Sequence, residues 1–278
     1  MEFLLKNPTC YTRMAAWVRK PGIWLACLLA LLCSAPAWAE LAPYEARYSI
    51  YRNGKLIGKL EVELAKNGAI WELNSAGSGT HGLARILRAR DSEKVTGQFS
   101  GGQFKPHSHT RHTRVAGIDD HWESNFDWKA DQVTVVHDSK QTHVLPLQGE
   151  ALDPLSLKIE MRRRLEESNS DFSFLMVEED EIEEQNFRQL ESEWLETSLG
   201  CMETTPIEKI RNNNRRYTRA WHAPALGNIE VRAEHGKVGG DHLEMRITEL
   251  SFGGTDVIAR PGCSAMQSAY GPMTASDP

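Results

Sequence analysis

Cysteine, basic charge and long apolar runs are all scarce in this sequence. Only five cysteines occur in 278 residues, and three of them lie within the first 39. Acidic residues outnumber basic ones, 38 to 32, for a formal net charge of −6. A nucleic-acid binder is disfavoured, because nothing supplies a net basic field. Mean hydropathy is −0.47. A single unbroken apolar run stands out, which rules out a polytopic membrane protein. No G-x-S-x-G elbow occurs, and Gly200-Cys201-Met202 sits in no recognisable nucleophile context. With 40% hydrophobic and 25% charged residues, the chain is neither collagen-like, mucin-like nor fully disordered.

The one apolar run, residues 23–33, reads as an address. Arg13, Arg19 and Lys20 precede it, and Pro36 followed by Ala37-Trp38-Ala39 ends it. Basic, apolar and small-x-small segments in that order make a secretory signal, with cleavage expected after Ala39. Eleven residues at about 1.5 Å rise cannot cross a hydrocarbon core of roughly 30 Å. An uncleaved membrane anchor is the other reading. Neither Cys27 nor Cys33 follows a good lipoprotein-processing pattern. Translation starting at Met14 instead of Met1 would give a more compact signal.

Loss of the leader changes the charge and the thiol count. Its four basic residues and one acidic residue leave with it, so the net charge falls from −6 to −9. Removing 39 of 278 residues leaves 239, expected as one antiparallel β domain over 40–251 and a loose C-terminal tail over 252–278. Cys201 and Cys263 remain. In an oxidising compartment they could pair, unless the tail never brings them together.

The mature chain reads as mainly β: an antiparallel curved sheet, or an open or closed barrel, with one or two short helices. The opening strands, 44–52, 56–64 and 69–73, are separated by Asn53-Gly54 and Asn67-Gly68, the strongest short hairpin signals. Further strands are predicted at 92–99, 104–115, 121–128, 132–137, 142–147, 172–177, 186–195, 202–210, 216–221, 228–233 and 242–250. The repeated crossover helices of a parallel architecture are missing. Asp153-Pro154 opens the clearest helix, as N-cap and first helical residue. A weaker helix is read at 82–88.

Few segments carry chemistry, and each has a plain alternative. Gly77-Ser78-Gly79-Thr80-His81-Gly82 fits G-x-G-x-x-G, but no parallel strand and no ribose-binding acid follow, so a strand-to-helix loop is expected and no cofactor. His107, His109 and His112, with His121 nearby, have metal-ligand spacing, but Lys105, Arg111 and Arg114 would repel a cation. An exposed polar face is expected there, and no metal. The acidic run 178–184 lacks a calcium-loop glycine and reads as a solvated loop. Arg162-Arg163-Arg164, flanked by glutamates, reads as a solvent face. His81, Asp91 and Glu93 could serve an enzyme, without a known signature.

Aromatic residues are the most suggestive feature. Trp71, Trp122, Phe126, Trp128, Trp194 and Trp221 are spread over four predicted strands. Turned inward they would fill a barrel, or line a cavity for an apolar ligand, with Trp71, Phe126, Trp128 and Trp221 as the lining candidates.

Several segments together resemble a bacterial exported family known as domain of unknown function 3108. They are Pro43-Tyr44-Glu45-Ala46-Arg47-Tyr48 with Gly54 and Gly58; Gly82-Leu83; Phe126-Asp127-Trp128; Leu152-Asp153-Pro154-Leu155-Ser156 with Arg162-Arg163; Gly200; and Trp221-His222-Ala223-Pro224. The family's usual proline in the following strand is missing from Leu226-Gly227-Asn228-Ile229-Glu230-Val231. The resemblance implies a periplasmic, mostly antiparallel β protein of no assigned activity. The leading expectation is therefore a non-enzymatic periplasmic protein holding an amphiphilic or apolar ligand, or an envelope-protein partner. Membrane contact is expected only through the signal before cleavage. An envelope hydrolase with an unrecognised carboxylate or histidine site, and a scaffold with a filled core, are the alternatives.

Overall fold

The computed structural model describes residues 41–167, 171–212 and 215–265. The expected leader, residues 1–39, and residues 266–278 lie outside them. The first strands form a meander: β1 (Tyr44–Arg52), β2 (Lys55–Asn67), β3 (Ile70–Gly79), β4 (Arg90–Ser100), β5 (Gln103–Val115), β6 (Ile118–Asp127), β7 (Gln132–His137) and β8 (Gln141–Pro146). A short helix, α1 (Gly82–Ile86), links β3 to β4. After β9 (Ala151–Leu152) comes the long helix α2 (Ser156–Glu167). The second half follows as β10 (Phe172–Glu178), β11 (Glu181–Gln189), β12 (Glu193–Thr197), β13 (Gly200–Ile210), β14 (Arg216–Ala223), β15 (Ile229–Lys237), β16 (His242–Phe252) and β17 (Thr255–Asp256).

The two halves are joined by β1, which pairs antiparallel with β2 on one side and with β16 on the other. From β16 the ladder continues through β15, β14 and β13 to β11 and β10. One pairing, β9 with β10, is parallel. The mainly β, antiparallel curved sheet expected from the sequence is what forms. Among the described residues it does not close into a ring: β8 takes its partner from β7, and β9 from β10. The facing ends are joined by side chains instead. Phe126, Val133 and Val135 from one end cluster with Val177, Leu175 and Ile182 from the other.

Local chemistry explains most element boundaries. Asn53 and Gly54 both take positive φ, 50° and 75°, so the pair makes a two-residue turn of the mirror-image type. The second turn is displaced by one residue. Asn67 pairs with Ile70, so Gly68, at φ 61°, and Ala69 form the turn. The expected strand 186–195 is two strands. β13 pairs with β12 through Gly200–Thr204 and with β11 through Ile207–Ile210. Pro206 sits at the changeover, where a residue without an N–H costs the ladder least. Leu190 N–H donates to the Pro206 carbonyl across the break, at 2.9 Å. The acidic run is likewise no simple loop: Glu178 pairs with Glu181 across a tight turn, and the rest continues into β11.

Helix α2 occupies the concave side. Asp153 caps it, accepting from the amides of Leu155 and Ser156, both at 2.9 Å. Leu155 and Ile159 face one hydrophobic cluster, with Tyr48, Leu73, Trp71 and Ile247. Leu157, Met161 and Leu165 face another, with Phe174, Met176 and Phe187. A helix with apolar neighbours on opposite faces is a buried helix. Burying Leu155 and Ile159 stabilises the fold by about 2–3 kcal/mol per side chain.

Residues 252–265 do not form a loose tail. Val257 N–H donates to the Leu250 carbonyl, Arg260 N–H to Leu199 and Cys201 N–H to Pro261. A disulfide joins Cys201 to Cys263, across 62 residues of sequence. At Gly200, φ is +99°, and a Cβ would collide with the Arg260 carbonyl, so glycine alone lets the strap lie this close.

Candidate functional site

The concave face holds a line of polar groups as well as apolar ones, and α2 supplies half of them. Arg162 is buried, contrary to the solvent face expected for the arginine triplet. Its Nε donates to the Gly227 carbonyl at 2.9 Å. Its guanidinium lies over the Tyr44 ring, 4.9 Å from the centroid. The reason is that α2 is covered by a curved sheet on more than one side, so its charged positions meet acceptors instead of water. Glu160, also buried, accepts from the Phe104 amide at 3.0 Å and pairs with Arg163. Lys158 pairs with Glu230 at 2.7 Å. The Glu230 backbone carbonyl accepts from the Tyr48 hydroxyl at 3.0 Å.

His109 faces the start of the same helix. A bulge puts Gly97 opposite Pro106 and Thr96 opposite Ser108, leaving His107 as the extra residue. The inward positions therefore change from Phe104 and Pro106 to His109. His109 Nε2 lies 3.9 Å from Glu93 and 3.9 Å from Asp153. These are ion-pair distances, beyond hydrogen bonding. Burial by itself pushes the imidazole pKa down, but Glu93 and Asp153 outweigh it and the net shift is upward. Burial likewise pushes Glu93 up, and His109, Arg111 and Lys158 reverse this to a net downward shift. Burial dominates at His222, whose pKa is lowered, leaving a neutral ring whose Nδ1 meets the Asn228 carbonyl at 3.0 Å.

Ser156, Asp153 and His109 include the residue types of a hydrolase triad, but not its order. The Ser156 hydroxyl donates to Asp153, and Asp153 lies between it and the histidine. A nucleophile needs a base to accept its proton and an open path to substrate. Ser156 and Asp153 are both fully buried, and the aspartate already accepts two amides as a cap. The trio is a helix anchor.

Beside α2 lies a pocket of about 200 Å³. Phe104 and Phe174 form part of its wall, and Glu150, Glu160, Glu184 and Arg164 bring charge to it. Among the described residues the buried Nε of Arg164 has no hydrogen-bond partner.

The other candidates from the sequence are dispersed. Trp71 and Trp221 pack in the core cluster around Ile159, whereas Phe126 and Trp128 belong to the cluster joining the sheet ends. The pocket is lined by none of these four. Trp128 Nε1 donates to the Pro106 carbonyl at 2.7 Å, and Trp221 Nε1 donates to Glu193 at 2.5 Å. Asp91 and Glu93 share Arg111, at 3.7 and 3.5 Å. His81 is exposed at the start of α1, its ring against the Thr80 hydroxyl. Glu93 thus works with His109, not with His81. The G-x-G-x-x-G segment is divided between β3 and the start of α1, and α1 is a single turn. His112 pairs with Asp119 on the outer face, its ring against His121. Three possible metal ligands, Asp120, His137 and Asp138, place one atom each within 4.8 Å of one another. Sequence reading missed them because they belong to two strand ends 17 residues apart.

The chain belongs to the family described as "Protein of unknown function (DUF3108)", which matches residues 44–248. No curated protein matches it. It is similar in fold to a β-barrel-like protein of domain of unknown function DUF1849 from Brucella abortus. The TM-score is 0.54 at 9% identity, over 76% of this chain and 98% of that one. A candidate lipoprotein of Parabacteroides distasonis gives a TM-score of 0.33 at 8% identity, over 76% and 96% of the two chains. A candidate exported protein with a YmcC-like fold from Bacteroides fragilis gives 0.35 at 11% identity, also over 76% and 96%. Those two scores are too low to establish a shared fold. No helix among the described residues is long and apolar enough to cross a membrane.

Proposed function

We propose that this member of the family is exported to the periplasm and acts there by binding an envelope partner, not by covalent catalysis. The observation that carries the reading is α2 on the concave face. A curved sheet that stores an acyl chain needs that face open, whereas here Leu155, Ile159 and Met161 fill it from within the chain. The charged pocket of about 200 Å³ is below the roughly 300–1,000 Å³ usual for small-molecule sites. It suits a short polar group, such as a side chain of a partner protein, better than a lipid tail.

Export is supported by the basic-apolar-small order of residues 1–39 and by the Cys201–Cys263 disulfide, a bond that persists in oxidising compartments. The experiment has three arms on protein expressed in its own host. Intact mass after cell fractionation should show the chain beginning after Ala39 in the periplasmic fraction. Native mass spectrometry and solvent extraction should show no stoichiometric amphiphile. Cross-linking in intact envelopes should then capture a protein partner through the pocket rim and lose it in Arg164→Glu. Uncleaved protein in the cytosol would defeat the location. A bound lipid at one per chain would defeat the filled-core reading.

A further inference from the structure

We propose that Asp120, His137 and Asp138 form a binding site for a divalent transition-metal ion of the zinc type. The site stands independently of the binding role argued above. Asp120 and Trp122 lie on the same face of β6 as Phe126, and His137 faces Trp122 across the β6–β7 ladder. Asp138 follows His137 in the turn toward β8, at φ 50°. The three side chains are neither fully exposed nor fully buried, so an ion from solution can reach them.

The arrangement differs from a chance surface cluster in how each ligand is held. Asp120 Oδ1 lies 2.7 Å from His137 Nε2, while its Oδ2 accepts from the Trp122 indole at 3.1 Å. Asp138 Oδ2 lies 4.0 Å from the same Nε2, while its Oδ1 accepts from the His121 amide at 3.1 Å. The His137 ring stacks flat on Trp122, with centroids 4.0 Å apart and planes 5° from parallel. Gln141 stands directly opposite His137 on β8. Each ligand atom therefore has a second atom or ring face fixed by a neighbour, as outer-shell partners fix the ligands of metal sites.

The donor set selects the class of ion. One imidazole and two carboxylates suit zinc and similar divalent ions, and two carboxylates balance the ion's charge. Zinc would take the place of the Nε2 proton now shared with Asp120, so binding releases a proton and weakens in acid. Lys140 Nζ is 3.8 Å from Asp138 Oδ2, but its side chain is 79% exposed and free to move aside.

The test uses the mature protein, stripped with EDTA and dialysed. Titration with zinc chloride by calorimetry, and with cobalt(II) by visible absorbance, should give one saturable site per chain. His137→Gln and Asp120→Asn should each weaken zinc by about tenfold or more. His112→Gln, on the outer face beside Asp119, should leave it unchanged. Melting curves without metal check that the variants fold. Asp138→Asn, in the turn, serves as the second ligand variant if either of the others fails to fold. Absence of saturable binding up to millimolar zinc, or equal binding by the folded His137→Gln protein, would overturn the site. So would loss of binding in His112→Gln.

Discussion

Asn228 donates from its side chain to the backbone carbonyl of Arg162, 66 residues earlier, at 3.3 Å. In return, Arg162 donates to the carbonyl of Gly227, the residue beside Asn228. This reciprocal clasp fixes α2 against the turn between β14 and β15. His222 extends it through the Asn228 carbonyl. Two segments that carry the family resemblance, the capped helix and the Trp-His-Ala-Pro element, thus meet in space.

Breaking the clasp should loosen the helix. Asn228 holds φ at 56°, a left-handed conformation that costs asparagine less than alanine. Asn228→Ala should destabilise by about 1–3 kcal/mol, through strain and loss of the buried side-chain hydrogen bond to the Arg162 carbonyl. Asn228→Gly should recover the strain but not the hydrogen bond, and so fall between the two. Urea unfolding of the three proteins checks the order; equal midpoints for all three would refute it.

The disulfide should matter through loop closure. It spans 62 residues, for which chain-entropy reasoning gives about 4 kcal/mol. Cys201→Ser, Cys263→Ser and the reduced wild type should melt together, well below the oxidised protein. Mass mapping of oxidised peptides should find the pair directly. Identical melting of the oxidised and reduced forms would show that the strap adds no stability.

Glu93 and His109 should give a stability bonus confined to a band of pH. The histidine's folded pKa lies above its ordinary 6.5, so its contribution is complete below about that pH and is lost as pH rises through the folded value. The carboxylate's folded pKa lies below its ordinary 4.5, so its contribution is complete above that pH and is lost as pH falls through the folded value. A double-mutant cycle with Glu93→Gln and His109→Gln should show coupling of about 1–2 kcal/mol near pH 5.5, shrinking in acid and in alkali. Coupling that does not change with pH would mean that the pair is not ionic.

Filling of the concave face predicts a cost for emptying it. Ile159 is 2% exposed, and Ile159→Ala should destabilise by about 2–5 kcal/mol. Leu83→Ala, at an exposed position on α1, should cost about 0.5 kcal/mol or less. Chemical denaturation measures both, and similar losses would place Ile159 outside the core.

Much of this architecture was legible because its signals are local. Alternation and the Asn53-Gly54 pair announce hairpins within a dozen residues, and Asp153-Pro154 announces the helix. Arg162 was not legible, since its partners, the Tyr44 ring and the Gly227 carbonyl, are distant in sequence and three adjacent arginines look hydrophilic on any helical wheel. The break between β11 and β12 was hidden for a similar reason: the residue that marks it, Pro206, is on the neighbouring strand. His137 and Asp120 belong to different strands, and only the β6–β7 ladder brings them together. Pattern shows which way a residue faces; it does not show what stands opposite.

The position of β1 has a consequence for how the molecule is assembled. That strand is paired along its length on both sides, with residues 55–64 and with residues 243–252. During synthesis from the amino end, its second edge stays unsatisfied until almost the whole polypeptide has emerged. A chain interrupted before residue 242 would present that bare edge, with Tyr44, Ala46 and Tyr48 uncovered, and would be a substrate for proteolysis or aggregation instead of a smaller functional protein.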